Sequence, residues 1–142
     1  MLGTLRALLW ILGVSAVLIA SSVVFLGPGM TAMFTERTYD SLTGWRGPMS
    51  PAWPPTMDSE LRFYAPFWGV YGFILVVVAR DLAQLGCWVP WLAVLFFAGG
   101  LGRAISWIAA GPPHPVFVLL MITELVLPPI LIALWRFGKP AP

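Results

Sequence analysis

Four long apolar runs decide what this chain can fold into: Ala7–Leu26, Phe63–Ala79, Gly86–Ala110 and Val116–Trp135. A helix rises 1.5 Å per residue, so about 20 such residues cross roughly 30 Å of hydrocarbon. Only 10% of the 142 residues are charged and 59% are hydrophobic, whereas an average soluble domain is about 25% charged. That scarcity excludes a soluble domain and a disordered tail. A nucleic-acid-binding module is excluded too, because it needs clustered Lys and Arg. The composition predicts an all-α integral membrane protein whose first partner is the lipid bilayer. It would form one membrane domain over 1–142, four transmembrane helices in a compact bundle.

Punctuation between the runs supports this division. The first run is longer than the ~7–15 residues of a signal-peptide core, and Ser21-Ser22 continues into Val23-Val24-Phe25-Leu26 without a small-residue cleavage site. A retained span is expected. Gly27-Pro28-Gly29 ends it. An extended loop over 27–62 follows, rich in Pro and Trp around Gly47–Pro55. Within it Met30, Met33, Phe34 and Leu42 fit a short interfacial turn or helix. Asp58 or Ser59 suits the N-cap of the second span, with Pro66 near its first turn. Pro128-Pro129 predicts a kink in the fourth.

Loop charges set the orientation. With four spans both termini share a side, carrying Arg6, Arg80, Arg136 and Lys139 against Asp81. The opposite side carries Arg37, Arg46 and Arg62 against Glu36, Asp40, Asp58 and Glu60. Lys and Arg near span ends favour the cytoplasm, so both termini are expected there, in a cell inner (plasma) membrane. Trp10, Trp45, Trp53, Trp88, Trp91 and Trp135 fall near span ends, as a boundary belt requires.

Two ionisable residues lie inside the spans. Arg103 precedes Gly111 by eight positions and Glu124 follows Pro115 by nine. Both therefore sit roughly 12–14 Å in from the same face. A short turn joins the third and fourth spans, making them antiparallel neighbours. Charge in hydrocarbon costs several kcal/mol, so the two are expected to pair. Ser106, one turn beyond Arg103, and Thr123 beside Glu124 are placed to satisfy spare donors and acceptors. Gly99, Gly100 and Gly102 form a small-residue surface for close helix approach, and Gly69 and Gly72 are packing positions in the second span. Glu60 and Arg62 stand at the mouth of the same leaflet. A polar cavity lined by Glu60, Arg62, Arg103 and Glu124 is one reading of this set; a structural clasp and a contact to a partner subunit are the others.

His114 lies in a rigid Pro-Pro-His-Pro loop. A lone loop histidine is ordinarily solvated, although this one is close enough to the supposed cavity to touch a ligand. One Cys (Cys87) and one His supply no metal-ligand spacing, so neither a metal nor a cofactor is expected, and Cys87 reads as a packed small residue. No nucleophile–base pair or phosphate loop is present; no catalytic residue is expected and the chain reads as non-enzymatic.

The motifs Glu60-Leu61-Arg62-Phe63-Tyr64, Gly69, Gly72 and Ala79-Arg80-Asp81, then Gly99-Gly100-Leu101-Gly102-Arg103 with Ser106, then Pro113-His114-Pro115 and Glu124-Leu125 with Pro128, occur in one order. In that order they resemble a bacterial membrane family known as domain of unknown function 4345. The likeness covers roughly Leu61 to Leu134. It implies a compact four-helix inner-membrane protein with no established activity, and carries over Glu60, Arg62, Gly102, Arg103 and Glu124. Ala65-Pro66 departs from its pattern. The layout is more distantly similar to DoxX-like four-helix proteins. The functional expectation is an accessory subunit, or a binder of a lipid or quinone, working through the Arg–Glu cluster. A small oligomeric transporter is the alternative, and a membrane protein partner or a homo-oligomer fits either.

Overall fold

In the computed structural model, which describes residues 1–138, every apolar run is helical. The elements are α1 (Leu2–Leu26), α2 (Pro28–Thr43), α3 (Pro55–Arg80), α4 (Leu82–Leu85), a 3-10 turn (Gly86–Trp88), α5 (Val89–Ala110) and α6 (Pro115–Gly138). There is no strand among the described residues. Four stretches are long and apolar enough to cross a membrane: α1, α3, Leu82–Ala110 and α6. Their outer faces carry Ile11, Leu18, Phe67, Phe73, Leu95, Ile105 and Ile122, all exposed, as lipid-facing positions should be. The chain is a multi-pass, four-helix membrane protein. Lys139, counted among the orienting charges, lies outside the described residues.

The expected loop over 27–62 is largely helix: the short interfacial turn or helix expected around Met30, Met33, Phe34 and Leu42 is the longer α2, and 55–62 belong to α3. Gly27 (φ 93°) breaks α1, and Pro28 starts α2 at the position where its missing N–H costs nothing. Along α2 the hydroxyls of Thr31, Thr35, Thr38 and Thr43 each donate to the carbonyl four residues back, at 2.8–2.9 Å. Such back-bonding lets a Thr-rich helix shield its polar groups. Its buried face is Pro28, Ala32 and Glu36, four residues apart, while Met30, Phe34 and Leu42 are exposed. Within 28–62 only the segment 44–54 is irregular.

α3 starts at Pro55, eight residues before the expected boundary. Pro54 is its N-cap and makes no side-chain cap, so neither Asp58 nor Ser59 plays that part, and Pro66 is internal. α6 is helical through Pro128-Pro129. At the turn before α5, the Asp81 side chain accepts from the Gln84 N–H at 3.1 Å.

The helices pack as two close pairs, α1 with α3 and α5 with α6. At the α1–α3 crossing the backbones nearly touch. A Cβ on Gly72 would stand 2.7 Å from the Gly13 carbonyl oxygen, and one on Gly13 2.7 Å from that of Gly72. Only glycine fits where backbone meets backbone, the small-residue logic of membrane helices. Ala16 and Ala20 continue the seam, with Gly69 against Ala20.

The two pairs join at the end where the termini meet. Leu5, Leu9, Leu75, Val78, Ala79, Val89, Leu92 and Leu131 make one buried cluster there. Tyr71 spans from α3 to α5, its hydroxyl donating to the Leu92 carbonyl at 2.9 Å, and stacks with Trp68 and Phe96. Toward the other end, where α2 and the loop 111–114 lie, no α5 residue beyond Gly100 is buried. The bundle is knit at the terminal end and open at the loop end.

Candidate functional site

Arg103 and Glu124 meet as the depth arithmetic requires. The Arg103 Nε donates to Glu124 Oε2 at 2.9 Å. Gly100 makes room: a Cβ there would lie 3.0 Å from Glu124 Cβ and 2.9 Å from Leu125 Cδ2. The partners differ in surroundings. The Glu124 side chain is 8% exposed and the Arg103 side chain 40%. Arg103 also lies over the Phe117 ring, 6.0 Å from its centroid, a cation–π distance. Its two terminal nitrogens make no hydrogen bond among the described residues, so most of a five-donor guanidinium is unspent.

The other members of the expected cavity are elsewhere. Arg62 binds Asp58, one turn before it, at 2.7 Å, and donates from Nη1 to the Val24 carbonyl at 2.6 Å. It thus closes the C-terminal turn of α1, where free carbonyls favour a cation. Glu60 is exposed on the first turns of α3. Ser106 is exposed, and Thr123 donates to the Leu119 carbonyl at 2.9 Å rather than to the ion pair. Gly102 has nothing within 4 Å of an added Cβ, and Gly99 meets only Glu124 Oε2 at 3.8 Å. Within this chain those two glycines therefore pack no helix. The single four-residue cavity is corrected to two separate ion pairs: α3 extends beyond its expected start, and Arg62 turns toward α1.

His114 is not solvated. Its side chain is 1% exposed, enclosed by edge contacts from Tyr39 and Trp45 at 5.8 and 6.3 Å. Nδ1 accepts from the Val116 N–H at 3.4 Å, which leaves the proton on Nε2. Nε2 is 3.2 Å from Asp40 Oδ1, but the two are not aligned for a hydrogen bond. One turn earlier on α2, the buried Glu36 carboxylate accepts from the Ser50 N–H at 3.0 Å and from the Ser50 hydroxyl. Glu36 thereby holds the segment 44–54 against α2. The sequence reading counted Glu36 and Asp40 as orienting charges. Their spacing of four, which places two carboxylates on one helical face, was the available signal.

Beside His114 runs a groove of about 760 Å³ between Trp45–Pro51, the loop Pro112–Pro115 and the α6 residues Val118, Leu119 and Ile122. Among the described residues no group of three or more His, Cys, Asp or Glu is placed to hold a metal ion. Cys87 is exposed rather than packed.

The chain belongs to the family described as a domain of unknown function (DUF4345), whose model matches residues 4–135. No curated protein and no solved structure matches it.

Proposed function

We propose that the protein is a non-enzymatic binder of an amphipathic ligand, a lipid or a quinone, whose anionic or carbonyl head is held at Arg103. The observation that carries this reading is the division of labour in the ion pair. Glu124 is buried and spends one oxygen on Nε, while the 40%-exposed guanidinium keeps both terminal nitrogens uncommitted. A clasp needs the first bond only; terminal N–H groups turned toward a carbonyl or carboxylate would add charge-assisted bonds. The open half of the bundle gives a tail room beside α5. In this reading the protein lies in a bacterial inner membrane with both termini cytoplasmic, so Arg103 faces the outer leaflet.

Native mass spectrometry of the protein released gently from bilayers tests the proposal. The wild type should retain an amphiphile of defined mass, and Arg103→Ala should release it. A charge-swapped Arg103→Glu/Glu124→Arg protein should fold yet lose the ligand. Equal retention by all three would remove Arg103 as the group that holds the ligand.

An accessory-subunit reading rests on a different observation. Gly99, Gly102 and Ser106 form an exposed small-residue face beside Arg103, suited to a partner helix or a second copy. Crosslinking in membranes through Gly102→Cys should then trap one species of defined stoichiometry.

A further inference from the structure

We propose that the groove beside His114 is a second, separate site, which takes a single-tailed amphiphile with an uncharged, hydroxyl-bearing head. Ile122 precedes Glu124 by two positions, about 200° of helix rotation, so this groove and the Arg103–Glu124 pair are on opposite faces of α6. The tail is assigned by continuity. The groove's wall of Val118, Leu119 and Ile122 belongs to a transmembrane helix, and Leu119 and Ile122 are 53% and 49% exposed. It therefore opens sideways into hydrocarbon, and its occupant must arrive from the bilayer. A volume of about 760 Å³ lies within the roughly 300–1,000 Å³ range of ligand pockets.

The head is assigned by what is missing at His114, which lines the groove, and at Asp40, which stands behind it. Asp40 Oδ1 and His114 Nε2 are the buried side-chain polar atoms without a hydrogen-bond partner among the described residues. Such atoms are rare enough in folded proteins that each calls for an explanation. With Nδ1 accepting from Val116, Nε2 is a donor and Asp40 Oδ1 an acceptor, 3.2 Å apart. One hydroxyl answers both, accepting from the imidazole and donating to the carboxylate. A carboxylate head accepts only and would meet Asp40 with like charge. The Tyr39 and Trp45 rings stand edge-on to the His114 ring, so a head reaches Nε2 when the Trp45 ring, on the irregular segment 44–54 and 43% exposed, swings aside.

The test uses the full chain in phosphatidylcholine nanodiscs, with a diazirine-tailed monoacylglycerol and the fatty acid of the same tail as probes. After irradiation, peptide mapping should concentrate the monoacylglycerol label on the segments 48–51 and 118–122, with unlabelled monoacylglycerol competing. Leu119→Trp, a lipid-exposed substitution that fills the groove, should lower this labelling at least tenfold. Ile130→Trp, exposed further along α6, and Arg103→Ala should leave it unchanged. Asp40→Ala should abolish the preference for the alcohol over the acid. Label spread evenly over every lipid-facing segment, or equal labelling by the fatty acid in the wild type, would overturn the proposal. Loss of native-mass-spectrometry ligand with Arg103→Ala while groove labelling persists would separate the two sites.

Discussion

Removing the guanidinium of Arg103 strands a carboxylate. Glu124 is 8% exposed, and leaving a buried charge unpaired costs more than the pair itself contributes. Arg103 lies in a membrane span, where hydrocarbon does not screen the stranded charge, and we expect Arg103→Ala to lose about 3 kcal/mol or more of stability. Glu124→Gln, which removes the charge and keeps an acceptor for Nε, should lose less than about 1 kcal/mol. Denaturant unfolding in detergent, followed by tryptophan fluorescence, compares the two; an equal loss would contradict this account of the pair. Depth arithmetic made Arg103 and Glu124 legible because rise per residue and a short connecting turn are local quantities. Arg62 was not legible in the same way. Its choice of the Val24 carbonyl depends on which helix lies beside α3, and no local pattern encodes that.

At the scale of the element, the α1–α3 contact depends on two glycines. Gly72→Leu would drive a side chain into the backbone oxygen of Gly13, which has no rotamer through which to yield. Overpacking costs about 1–3 kcal/mol where side chains can move, and this site belongs at or above the upper end. Gly102→Leu, with nothing within 4 Å, should not lower the unfolding midpoint of the isolated chain and should raise it slightly, because leucine is the better helix former. α2 makes a different prediction. Glu36→Ala frees the Ser50 donors and releases the segment 44–54, so limited proteolysis there should quicken severalfold while the spans stay protected. The residues Met30, Met33, Phe34 and Leu42 point to a short interfacial turn or helix, but the full length of α2 was not legible, because its buried face is only Pro28, Ala32 and Glu36 and its exposed apolar residues blur the usual periodicity. The four spans were legible because length and apolarity are sufficient in a bilayer, where backbone groups must be satisfied within the segment.

For the molecule as a whole, topology is open to direct measurement with the chain's own chemistry. Cys87 is the single cysteine and is exposed, in the turn between α4 and α5 at the terminal end. A membrane-impermeant maleimide added to intact cells should leave it unmodified and should label it once the cytoplasmic side is opened. In a Cys87→Ser background, Ser41→Cys, exposed on α2, should show the reverse. Labelling of Cys87 from outside would invert the proposed orientation and place Arg103 in the inner leaflet.

The uneven placement of the core has a mechanical consequence. With Leu5, Leu75, Val89 and Leu131 gathered at the terminal end and α5 uncovered beyond Gly100, the two helix pairs resemble the arms of a clothes-peg, with the leucine cluster as its spring. In the leaflet around the open arms, acyl chains bear on α5 directly. Beyond Gly100 the outer half of α5 is thus held by α6 and by lipid rather than by the shared core, so the two pairs meet the bilayer more independently there than at the terminal end.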